Sequence, residues 1–297
     1  MPLRPLLLAA LLVLAPMAGH AQRAQIDAAR AAIAGYQDIE RARGDGWRRF
    51  GAPAALMGQH YYHPARADYV AGQALNPARA SNLLYAPIGG RDVLVSVAFN
   101  YRLSDRDPLP QGFPGGRDVW HVHDVGRFAA AVTADRPLLR WAADRFLTPQ
   151  FAGGDGLPRD RLAMVHLWTI PNPDGPFASH NRALAYLQLG LPAAWADGAG
   201  KQAALGLALA TQDGCAIEID TDAWIANLPR RTTRQLHRVC RQAAAHVRAR
   251  LGSKAQANAA GEAAWRAYAE FRDATLTPAQ KLRIASIVED GPGLLCR

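Results

Sequence analysis

The chain has 297 residues, of which 49% are apolar and 20% charged, and a formal charge of +9. That balance excludes a disordered polyampholyte and fits a globular protein. Nearly all the positive charge is Arg, with Lys only at 201, 254 and 281, and no basic-aromatic patch marks a nucleic-acid surface.

Met1 to Gln22 has the three parts of a secretory signal. Arg4 gives a positive start, Leu6 to Leu14 is an unbroken apolar run, and Gly19-His20-Ala21 sets small residues at a cleavage site. The apolar run is shorter than the roughly 20 residues that a membrane span needs. The expectation is a signal peptide over residues 1–21 and a mature chain without a membrane span, periplasmic or secreted. Three cysteines, Cys215, Cys240 and Cys296, fit one intramolecular disulfide in an oxidising compartment, with one thiol left over.

Ala24 to Arg43 carries apolar residues at helical spacing (Ile26, Ala29, Ile33, Tyr36, Ile39) and predicts one amphipathic helix. The period then changes. Leu56 to Tyr62, Asn82 to Ala86, Val93 to Tyr101, Asp118 to His123 and Leu162 to Ile170 read as strands, with Gly89-Gly90 as a hairpin turn. Phe128 to Phe146 has helical periodicity broken by Pro137, and Pro171 to Gly175 is a turn by composition. Asp213 to Asp222 reads as a turn plus strand. After about Asn181 the chain is Ala-rich and helical: a helix from Thr232 or Thr233 to about Leu251, another over Glu262 to Phe271, and a capping-box start at Thr277-Pro278-Ala279-Gln280. The fold class is therefore α+β, with an N-terminal helix packed on an antiparallel sheet over residues 22–181 and a mostly helical region over 182–297.

The chemistry concentrates in the strands. His121 and His123 are two apart, which puts both rings on one face of a strand. His60 and His166 lie in two other strands. Neutral imidazoles converging from neighbouring strands can hold one transition metal, Zn, Cu, Fe or Ni. The candidate ligands are His60, His121, His123 and His166, with Asp118, Asp124 and Asp174 as further ligands or as acceptors that orient a ring. Three other readings stay open. The chain is a non-catalytic periplasmic binding or interaction module with an aromatic-lined pocket, its histidines are purely structural, or they act in metal-free catalysis. No GxSxG elbow and no phosphate-cradling loop is present.

Met57-Gly58-Gln59-His60-Tyr61, Leu83-Leu84-Tyr85-Ala86-Pro87, His166-Leu167-Trp168 and Asn172-Pro173-Asp174-Gly175-Pro176-Phe177, with Asn181, together resemble a group of bacterial exported proteins of no established activity. Those proteins carry MGxHY, LxYxP, HxW and NPxGxF segments after a signal peptide and a helix. The resemblance spans Ala24 to Asn181. It singles out His60, His166, Asn172, Gly175, Phe177 and Asn181, accommodates His121 and His123, and leaves His63 and His180 outside the pattern. It implies no reaction.

Overall fold

The computed structural model describes residues 23–66, 68–151 and 157–285. The expected signal peptide and Cys296 lie outside these. Helix α1 covers residues 23–33. It does not continue to Arg43 as its spacing predicts. A 3-10 turn follows at Ala34–Tyr36, and α2 (Ile39–Gly44) starts afresh with the Asp38 carboxylate accepting from the Glu40 N–H at 2.9 Å. The break frees the Tyr36 carbonyl, which accepts from the Tyr85 hydroxyl at 2.6 Å. Tertiary hydrogen bonding and a local cap together outweigh helical periodicity.

Seven strands form one sheet: β1 (Arg48–Ala54), β2 (Gly58–Tyr62), β3 (Tyr69–Val70), β4 (Asn82–Ile88), β5 (Arg91–Leu103), β6 (His121–Asp124) and β7 (Arg161–Trp168). The order is β1-β2-β4-β5-β7-β6, all antiparallel, with β3 pairing β5 in parallel. The β4–β5 hairpin turns at Gly89 and Gly90, whose φ values of 60° and 77° suit the tight turn that matches strand twist. Val95 is an extra residue in this pair, since Leu84 faces Ser96 and Tyr85 faces Leu94. Such a bulge bends the sheet locally.

One sheet face carries Tyr61, Leu83, Tyr85, Val97, Phe99, Val165 and Leu167. It packs on Ala29 and Ile33 of α1 and on Trp47. The other face carries Leu84, Ala98, Met164 and Trp168 and meets Leu184 of α5 (Ala183–Gln188). Between β6 and β7 run α3 (Val125–Thr133) and α4 (Pro137–Ala142), separated just before Pro137.

The C-terminal helices are α6 (Lys201–Leu209), α7 (Gly214–Ile225), α8 (Arg230–Arg248), α9 (Lys254–Thr275) and α10 (Pro278–Ala285). Residues 213–222, expected as turn plus strand, belong to helix α7. Ile219 and Ile225 are buried, and Glu218 pairs with Arg272 of α9 at 3.2 Å. The start of α10 closes both halves of its capping box, Thr277 N–H to Gln280 and Gln280 N–H to the Thr277 hydroxyl. Among the described residues no helix is long and apolar enough to cross a membrane.

Cys215 of α7 and Cys240 of α8 form a disulfide across a sequence separation of 25. Cross-linking that much chain removes about 3 kcal/mol worth of unfolded-state entropy. Reduction under native conditions is expected to lower stability by roughly that amount. Urea unfolding with and without dithiothreitol, followed by α-helical ellipticity, measures it.

Candidate functional site

The register places the histidines on one face. His60 faces Leu84, and Leu84 faces Ser96. Ser96 and Ala98 face Trp168 and His166, and His121 and His123 face Met164 and Leu162. Directly opposed residues in a ladder project to the same side. His60, His121, His123 and His166 therefore share a face, as the strand period predicts for His121 and His123.

The distances show that this face is concave. Two strands, β4 and β5, lie between β2 and β7. In a flat sheet those three spacings amount to roughly 14 Å. The rings of His60 and His166 nevertheless have centroids 6.0 Å apart. The sheet curls around the histidines. His121 lies 5.1 Å from His166 and 5.0 Å from His123, ring to ring.

Burial sets their charge state. His166 has no solvent exposure and His121 only 4%. Desolvation, reinforced by the nearby His166 and His123, lowers the pKa of His60 to about 3. Desolvation also brings His166 down to about 4, against the opposing effect of its hydrogen bond to the Ser179 carbonyl. His121 is held well below the ordinary value by desolvation first, then by His166, His123, His180 and His60. All three rings are neutral at neutral pH, the form that ligates metals.

Tautomers follow from the partners. His166 Nδ1 lies 2.8 Å from the Ser179 carbonyl, which only accepts, so Nδ1 carries the proton and Nε2 the lone pair. His121 Nε2 is buried without a hydrogen-bond partner. A buried nitrogen left unmatched is uncommon and costs stability unless something else binds it.

The loop that orients His166 is held by Trp168, Asn172, Gly175, Phe177 and Asn181. Asn172 donates to the His180 carbonyl at 2.9 Å, and Asn181 donates to the Pro171 carbonyl at 2.9 Å. Gly175 takes φ +96°, accessible to Gly at little cost. The Trp168 indole donates to the Ala178 carbonyl at 2.6 Å. Phe177 is buried against Phe113, 5.2 Å away. These residues fix the loop that presents the Ser179 carbonyl, and with it the His166 ring.

Two of the three carboxylates expected to assist are engaged elsewhere. Asp124 accepts from the Arg127 N–H at 2.7 Å and caps α3. Asp174 binds Arg182 through both oxygens at 2.6 Å. Asp118 lines a cavity of about 650 Å³ that reaches His121 and His180 and includes Trp120 and Phe177. His180 stands outside the sequence pattern yet belongs to this neighbourhood. It lies near enough to His121 to oppose its protonation, and its Nδ1 is 3.0 Å from the Ser179 hydroxyl. Its position one residue after the carbonyl that holds His166 becomes informative only once the loop is folded. His63 is structural: Nε2–H donates to the Asp45 carbonyl at 2.8 Å, Nδ1 accepts from the Ala65 N–H, and the ring packs on Trp47.

As the rings now point, no group of three or more His, Cys, Asp or Glu among the described residues is placed to hold a metal ion. No protein-family model, curated protein or solved structure matches this chain.

Proposed function

We propose that this is an exported transition-metal-binding protein whose ligands come from His60, His121, His123 and His166. The observation that carries the reading is a chain of ring contacts of 5.0–6.0 Å linking the four histidines, together with a buried His121 Nε2 that has no partner. Two imidazoles on one tetrahedral ion, each bound at about 2.0–2.1 Å, have ring centroids about 5 Å apart. The observed centroid distances are close to that value. With His166 held by the Ser179 carbonyl, a bound ion would require the other rings to turn about their soft χ2 torsions. The disulfide between Cys215 and Cys240 supports an oxidising location.

The cavity beside His121 and His180 favours a second reading, a small-ligand pocket in which neutral imidazoles serve only as hydrogen-bonding groups. Metal analysis separates the two. Protein purified without a His tag is expected to carry, or take up, one transition metal per chain. It should gain about 2.7 kcal/mol when free metal is at 100 times Kd. The double variant His121→Asn/His123→Asn should lose both metal and gain. Metal-free wild type with no thermal shift in Zn, Cu, Ni or Fe would overturn the metal site and leave the ligand pocket.

A further inference from the structure

Met164 sits in the middle of the histidine cluster, and sequence patterning gives it no role. It faces His121 across the β6–β7 ladder and lies two residues before His166 on the same face. Its thioether Sδ is 3.2 Å from His166 Nε2. Methionine sulfur has no proton to give. His166 Nε2 has none either, because the Ser179 carbonyl holds the proton at Nδ1. Two lone pairs thus face one another in a buried place, Met164 being only 8% exposed. An electrophile reconciles them. Beside them stands His121, whose Nε2 is also buried and unmatched. A soft sulfur with neighbouring imidazoles forms a donor set that favours a soft cation.

We propose that Met164 is a thioether ligand and that the site selects Cu(I) over Zn(II). The inference rests on the histidine site proposed above. Within it, Met164 and His166 supply a fixed S,N pair, His121 the next nitrogen, and His60 or His123 completes the coordination. Zn(II) has little affinity for a thioether and would use the imidazoles alone.

The test titrates the full-length, tag-free protein in parallel with Cu(I), under anaerobic reducing conditions, and with Zn(II). Each is competed against a chromophoric chelator, in wild type and in Met164→Leu. Leucine nearly conserves the volume and should leave the fold intact. The expected result is one Cu(I) per chain, weakened about tenfold or more by Met164→Leu, with Zn(II) affinity changed less than about threefold. Cu(I) affinity unchanged by the substitution, or both metals weakened equally, overturns the methionine ligand and leaves the histidine site standing. Wild type that binds neither metal overturns the methionine ligand, and if Ni and Fe also give no thermal shift it overturns the histidine site as well. X-ray absorption of the Cu(I)-loaded wild type gives an independent answer should the variant fail to fold: a sulfur scatterer supports the ligand, and a shell of nitrogen and oxygen alone overturns it.

Discussion

Metal-free protein is expected to lose several kcal/mol of stability as the pH falls from about 7 to 4, starting well above the range in which carboxylates titrate. In the unfolded chain the histidines take up protons near the ordinary pKa of about 6.5. In the folded chain His166 resists until about 4 and His60 until about 3. Between those values the unfolded state binds more protons, so acid favours unfolding. The stability contributed by keeping the rings neutral is complete above about pH 6.5 and is lost below it. His166 alone accounts for about 3 kcal/mol by pH 4, because each tenfold difference in proton affinity between the two states is worth about 1.4 kcal/mol. His121 adds in the same direction, while the partly exposed His60 adds less. Urea midpoints measured in chelator at pH 8, 6.5, 5.5 and 4.5 test this. The midpoint should be level above pH 7.5 and should fall steadily below 6.5. A midpoint unchanged between pH 7.5 and 5 would show that the rings are solvated. A bound metal competes with protons for the same nitrogens, so it should delay the fall and then be released.

The second large effect lies in the packing of two C-terminal helices. Helices α6 and α9 approach so closely that a Cβ at Gly206 would lie 1.8 Å from the Gly261 carbonyl oxygen, and a Cβ at Gly261 would lie 2.4 Å from that of Ala203. Both obstacles are backbone, and no side-chain rotation relieves them. Gly206→Ala should therefore cost about 3 kcal/mol or more, despite the better helix propensity of Ala, because the helices must separate. Gly44→Ala is the control. Gly44 is helical with open space at its Cβ position, so substitution there should be neutral or slightly stabilising. Thermal unfolding of the two variants makes the comparison, and equal melting temperatures would refute the close packing of α6 on α9.

Local pattern makes much of the fold legible. The strands holding His60, His121–His123 and His166 alternate or run apolar between turn residues, and Gly89-Gly90 marks the hairpin, so the sheet and its histidine face can be read from the sequence. Strand β1 cannot. Arg48–Ala54 is mostly exposed and contains Gly51 and Pro53, which suit an edge strand but weaken its pattern. Helix α7 resembles a strand in sequence because Cys215, Ile217 and Ile219 alternate. Its burial against neighbouring helices, its disulfide to α8 and the pairing of Glu218 with Arg272 decide the matter from a distance. The curl that brings His60 to within 6.0 Å of His166 is also nonlocal. So is the placement of His180, since neither follows from spacing along one segment.

The order of the strands has a further consequence for when the site can exist during synthesis. His60 lies on an early strand, His121 and His123 on an edge strand, and His166 on the strand that joins that edge to the rest of the sheet. A nascent chain ending before β7 can pair β2, β4 and β5, but it has no seat for β6. Its first three imidazoles then have no common centre. Pairings so distant in sequence form late because their loop-closure cost comes first. Capture of an ion by this cluster would therefore report a finished sheet, and a truncated or half-folded chain would leave the ion to its competitors.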